Sequence, residues 1–117
     1  MADFKSTIDS AFAFQGDSIL IGTAMHNKEA VVNTPVRLPL NMVSRHGLIA
    51  GATGTGKTKT IQHIAESLSE KGVSVLLMDI KGDLSGIARP GVSNPKIDER
   101  LAKIGSEWKP KQFPVEL

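Results

Sequence analysis

Residues 51–58 of this 117-residue chain, GATGTGKT, constrain its fold more than any other stretch. Three of these residues are glycines, and a lysine followed by a threonine completes the pattern. Glycine adopts backbone conformations that a Cβ atom disfavours, so glycines at this spacing indicate a tight loop. The stretch lies between the apolar run 47–50 and a segment with helical spacing. It therefore predicts a strand, a loop and a helix in direct succession.

The segment after the loop has apolar residues at i, i+3, i+4 and i+7, which predicts a helix with one buried face. These residues are Ile61, Ile64, Ala65 and Leu68. Gly72 follows at a position where a left-handed residue commonly ends a helix. The mostly apolar run 73–80 is typical of a parallel strand covered on both faces. Together these segments predict one βαβ unit.

The residues before this unit predict a small lead-in, which we assign to residues 1–40. Phe4, Ile8 and Phe12 lie on one face of a predicted short helix. Residues 17–40 predict two or three short antiparallel strands, the first turning back near residues 26–28.

The remaining residues, 41–117, are assigned to the α/β unit and to the segments after it. Asn94 as N-cap and Pro95 as first helical residue predict a further helix, which Gly105 ends. Residues 112–117 predict the start of another strand.

The glycine-rich loop fits G-x-x-x-x-G-K-[ST], the Walker A pattern. Its backbone N–H groups would surround phosphate oxygens, and the helix that follows adds its unpaired N–H groups. Lys57 would reach the β- and γ-phosphates as a catalytic residue, and the Thr58 hydroxyl would ligate Mg²⁺. A turn that merely joins strand to helix would not need this lysine and threonine. The predicted residues for binding a nucleoside triphosphate, ATP or GTP, are Gly51, Ala52, Thr53, Gly54, Thr55, Gly56, Lys57 and Thr58.

Asp79 is a second candidate site residue, catalytic and metal-binding. Four apolar residues precede it, as in a Walker B strand whose carboxylate holds Mg²⁺ through water. However, Ile80 stands where a hydrolytic Walker B usually has glutamate. In the alternative interpretation, Asp79 ends the strand and residues 81–83 form a solvated turn. The sequence leaves both open.

Composition narrows the class of protein. The formal charge of +2 is too small to indicate nucleic-acid binding by itself, and the chain has no cysteine for disulfides or thiolate metal sites. The N-terminus lacks the apolar core of a secretory signal, and no run reaches the ~18 apolar residues of a membrane span. These features favour a cytoplasmic protein with no membrane partner.

Residues 45–86, RHGLIAGATGTGKTKTIQHIAESLSEKGVSVLLMDIKGDLSG, resemble the P-loop region of the FtsK-HerA superfamily of pumping ATPases. The resemblance is closest to bacterial HerA-like helicases, in which a D-x-K-G-D or similar element follows the first helix, as at 79–83 here. It implies a truncated α/β fold, a P-loop NTPase (RecA-like) core behind the antiparallel lead-in. It also implies ATP and Mg²⁺ as cofactors, and in the intact protein a homo-hexamer that moves DNA.

Family members are several times longer, and their acid pair, polar sensor and arginine finger lie downstream of the matched segment. The resemblance therefore implies an N-terminal fragment that does not hydrolyse ATP alone. In the family's sheet order, the strand at 73–80 is not a direct neighbour of the P-loop strand, so missing strands would leave an apolar face exposed. Two alternatives remain: a kinase-like P-loop phosphotransferase, and a nucleotide-binding fragment without turnover.

Overall fold

The computed structural model describes residues 2–116. These residues form three α-helices and one pair of strands: α1 (Ala2–Ala11), β1 (Ser18–His26), β2 (Glu29–Pro39), α2 (Lys57–Glu70) and α3 (Pro95–Ile104). Short 3₁₀ helices follow β2 at Leu40–Met42 and precede α3 at Ser85–Ala88. None of the helices formed by residues 2–116 combines the length and the apolar character needed to cross a bilayer.

The chain divides into two compact units. The first contains the residues up to Arg45 and returns at Ser93–Lys109, whereas the second contains His46–Val92 and the residues from Pro110 onward. The sequence placed the division near residue 40 and assigned all of the later chain to the second part. In the structure, α3 groups with the hairpin instead.

The first unit is built on the predicted antiparallel hairpin, in which β1 and β2 pair from Ser18↔Pro39 to His26↔Glu29. Asn27 and Lys28 form the turn with φ of 50° and 67°, both in the left-handed region. Two positive φ angles give a two-residue turn whose twist matches that of the flanking strands. Pro39 fits at the end of β2 because both strands of a two-stranded sheet are edges.

The caps of α3 form as the sequence predicted. The Asn94 side chain accepts a hydrogen bond from the Ile97 N–H at 3.1 Å, and Pro95 occupies the first turn. Gly105 ends the helix with φ 64°. A Cβ on Gly105 would lie 2.6 Å from Cγ1 of Val32, so the close approach to β2 also requires glycine.

In the second unit, α2 forms as predicted, but the two parallel strands do not. Residues 47–50 and 73–80 carry no strand pairing, and 74–78 make no backbone hydrogen bond within the described chain. The physical reason is that strand structure requires a hydrogen-bonded neighbour. Neither segment provides one for the other. The RecA-like core therefore stays a prediction.

The apolar side chains of residues 73–80 nevertheless differ in how far they are buried. Leu77 packs against the core of the second unit, formed by Ala65, Ile87 and Phe113. The alternate residues Leu76, Met78 and Ile80 are 90%, 89% and 102% exposed. From residue 75 to residue 78 the exposure alternates as in a strand covered on one face, and this agrees with the exposed apolar face expected from unpaired strands.

The residues from 112 onward, which were predicted to begin a strand, form no strand pairing in their described part. Phe113 instead anchors this segment in the core, where its side chain is buried. Lys111 lies 5.4 Å from the centre of the Phe113 ring and forms a 2.7 Å ion pair with Glu70 at the end of α2. The segment is thus attached to α2 through an apolar and an ionic contact.

We expect Gly105→Ala to destabilise the first unit by about 2 kcal/mol, because alanine is strained at this φ and its methyl group would overlap Val32. The free energy of unfolding from urea denaturation provides the measurement. In a Val32→Ala background the same substitution should cost less, since the overlapping methyl group is gone. An equal cost in both backgrounds would contradict the contact with Val32.

Candidate phosphate-binding site

The backbone of residues 51–58 explains the glycines of the pattern. Gly54 and Gly56 have φ of 79° and 98°, where a residue with a Cβ atom is strained. At Gly51 the reason is space, since a Cβ there would lie 2.6 Å from the Thr55 Oγ1. The loop therefore bends tightly and brings its own backbone close to its side chains.

One carbonyl oxygen organises the loop. The Ala52 oxygen accepts hydrogen bonds from the Lys57 Nζ at 2.7 Å, the Thr55 Oγ1 at 2.6 Å and the Thr55 N–H at 3.3 Å. Lys57 is thereby folded back over the loop. An ammonium group has three N–H donors, so this bond leaves two for another acceptor.

The N-terminus of α2 presents unpaired donors. Gly56 is the N-cap and no side chain caps the helix. The backbone N–H groups of Lys57, Thr58 and Lys59 donate to no acceptor among residues 2–116. The first turn also has no acidic residue to offset the positive end of the helix dipole. The N-terminus of α2 and the ammonium group of Lys57, which lies over the loop, form a site suited to an anion.

The structure gives Asp79 a local role. Its Oδ1 accepts N–H bonds from Lys81 at 3.2 Å and Gly82 at 2.8 Å, and its Oδ2 accepts one from Leu84 at 2.8 Å. The bond from Leu84, followed by weaker backbone bonds, holds the pKa of the carboxyl below its usual value. Residues 79–84, which we call the 79–84 loop, form the turn of the alternative interpretation. Within the described residues, no hydrogen bond or ion pair links Asp79 to Lys57 or Thr58.

Sequence reasoning missed Gln62, which is buried at 7% exposure in α2. Its Nε2 donates to the carbonyl of Asp83 at 3.1 Å and so connects α2 to the 79–84 loop. A sequence signal existed, since Gln62 lies three residues before Ala65 and six before Leu68, on the apolar face of the helix.

The second unit also has an open cleft of about 550 Å³ beside its core, lined by Ala65, Glu66 and Phe113 among others. Partial burial is the main cause that raises the pKa of Glu66. None of the predicted ATP-binding residues lines this cleft. In the part of the chain that is described, no cluster of three or more histidine or acidic residues could hold a metal ion.

We expect the pKa of Asp79 in the folded protein to lie below that of an aspartate in the unfolded chain, because its N–H bonds favour the charged form. Its contribution to stability is then present above the unfolded pKa and disappears as the pH falls through the lower folded pKa. A ¹³C NMR titration of the Asp79 carboxyl, with the urea-unfolded chain as reference, measures both values. A folded midpoint at or above the unfolded one would show that the three bonds do not persist in solution.

Comparison with protein families gives an independent view of the chain. The family model for the C-terminal domain of HerA-like helicases matches residues 24–117, which is most of the chain. No solved structure matches it.

Three curated relatives are each named as a DNA double-strand break repair helicase HerA. The protein of Sulfolobus acidocaldarius is 35% identical over 68 residues, which are 56% of this chain and 14% of that protein. The protein of Saccharolobus solfataricus is 41% identical over 51 residues, which are 44% and 10%. The protein of Sulfurisphaera tokodaii is 37% identical over 62 residues, which are 53% and 12%.

The matches thus span at most about a seventh of each relative's length. The relatives are archaeal and the matched model is of a C-terminal domain, so the bacterial subgroup and the N-terminal placement expected from the sequence gain no support. Because the family model matches most of the chain, this chain belongs to the HerA-like helicase C-terminal family.

Proposed function

We propose that residues 51–58 bind the phosphates of ATP together with Mg²⁺. One observation carries the proposal: the unpaired N–H groups at the start of α2 and the ammonium group of Lys57 belong to the same glycine-rich loop. Donors and positive charge from one short segment suit a polyphosphate. The three glycines keep Cβ atoms away from the path by which phosphate oxygens would approach.

Each residue of the loop has a distinct part in this proposal. The backbone N–H groups at the start of α2 hold phosphate oxygens, and Lys57 donates its two remaining N–H groups to the β- and γ-phosphates. The exposed Thr58 hydroxyl is the ligand offered to Mg²⁺, which when bound would neutralise charge on the phosphates. The loop positions these groups before any chemistry takes place.

We further propose that the loop serves an ATP-driven helicase or translocase that acts on DNA as a homo-hexamer. Family membership and the names of the relatives support this step. The proposal includes a RecA-like core, in which 47–50 and 73–80 would be parallel strands. The alternating exposure of residues 75–78 and the packing of Leu77 support the second of these strands.

Lys57→Ala tests the charge at the site. We expect it to weaken binding of Mg²⁺–ATP by at least about tenfold, because a charge-assisted hydrogen bond contributes about 1.5–3 kcal/mol. Isothermal titration calorimetry measures the affinity. Lys59→Ala is the matched control, since Lys59 is an exposed lysine in the same helical turn. Equal affinity of the wild type and Lys57→Ala would remove the loop from the account of ATP binding.

Gly51→Ala tests the shape of the loop. The added Cβ would push the Thr55 hydroxyl away from the Ala52 carbonyl, so we expect a disordered loop and weaker ATP binding. Adding Thr55→Ala removes the clashing oxygen and should restore part of the affinity. Titration calorimetry of both variants and of Thr55→Ala alone separates the two effects. No recovery in the double variant would mean that the Cβ interferes with something other than Thr55.

A further inference from the structure

Gln62 is a buried polar side chain that phosphate binding leaves without a role. It lies in the second turn of α2 and is 7% exposed. Burying an amide is unfavourable unless it forms a hydrogen bond, and Gln62 forms one with the Asp83 carbonyl at 3.1 Å. Its position four residues after Thr58 places both side chains on the same face of the helix, one turn apart.

The 79–84 loop depends on two separate supports. Asp79 sets its internal shape by accepting the N–H groups of Lys81, Gly82 and Leu84. Gln62 sets its position, since its amide donates a hydrogen bond from α2 to the Asp83 carbonyl of this loop. On either side of the loop, Leu77 and Ile87 belong to the core, so the exposed turn between them is attached to the helix through Gln62.

We infer that Gln62 is a positioning residue that couples the phosphate loop to the 79–84 loop. This inference rests on the proposed ATP binding at residues 51–58. Phosphate held by the first turn of α2 orders the start of that helix, and the Gln62 amide one turn later passes the constraint to the Asp83 carbonyl. Asp79 keeps the loop stiff enough to respond as a unit, and the loop presents the exposed Lys81 and Asp83 side chains. The state of the nucleotide site is thereby communicated to this surface.

The experiment measures hydrogen exchange at the Gly82 and Leu84 amides in the full chain, with and without Mg²⁺ and a non-hydrolysable ATP analogue. In the wild type we expect the analogue to slow exchange at these amides. Gln62→Met keeps the length of the side chain but removes the donor. It should bind the analogue within about threefold of the wild type, since it does not touch the phosphate loop. Its exchange response should fall by up to about tenfold, which corresponds to the loss of one hydrogen bond.

Two further variants complete the test. Ile61→Met, a change at a residue of α2 that is 38% exposed and lies outside the phosphate loop, should keep the wild-type response. Asp79→Asn leaves one acceptor oxygen where the loop needs two, so it should also lose the exchange response. This substitution lies outside α2. It therefore tests the coupling if Gln62→Met does not fold. A full response in a folded Gln62→Met variant would overturn the coupling, and so would a full response in Asp79→Asn if Gln62→Met does not fold. The coupling would also be overturned if the wild type bound the analogue with no change in hydrogen exchange at Gly82 and Leu84. If the wild type did not bind the analogue, the proposed function and the coupling would be overturned together.

Discussion

The burial of one face of α2 is the constraint on which the second unit depends. Gln62, Ala65 and Leu68 succeed one another at three-residue spacing, and all three are buried. Ala65 meets Ile87 and Phe113, which brings two later segments of the chain into one core with the helix. Because the helix is rigid, fixing this face also fixes where its first turn points, and that turn bears Lys57 and Thr58.

Features set by neighbouring residues were predictable from the sequence, and features set by distant ones were not. The left-handed glycines of the loop, the caps of α3 and the turn at Asn27 depend on a few adjacent residues, and they formed as expected. The strands predicted at 47–50 and 73–80 did not form because a strand also needs a partner, which no local pattern supplies. For the same reason the grouping of α3 with the hairpin could not be predicted, since its packing on β2 is a contact across the chain.

The candidate site also has features that the sequence predicts and features that it does not. All residues of the glycine-rich loop could be named from their spacing, whereas their ATP-binding role remains a prediction that geometry and family membership support. For Asp79 the sequence offered both a metal ligand and a turn. The three backbone bonds to its carboxylate favour the turn. The burial of Gln62 was not predicted because a glutamine in a helix is ordinarily exposed. Its role depends on the hydrogen bond to the Asp83 carbonyl, which lies in a distant part of the sequence.

The alternating exposure of residues 75–78 affects how this chain associates with other chains. Leu77 already holds the segment against α2, so much of the backbone entropy that strand formation costs has been lost within the second unit. A β-strand from any source that aligned with residues 74–78 would gain backbone hydrogen bonds and cover Leu76 and Met78 without disturbing the core. The same unpaired backbone and exposed apolar side chains would also favour association between copies of the chain in a concentrated solution.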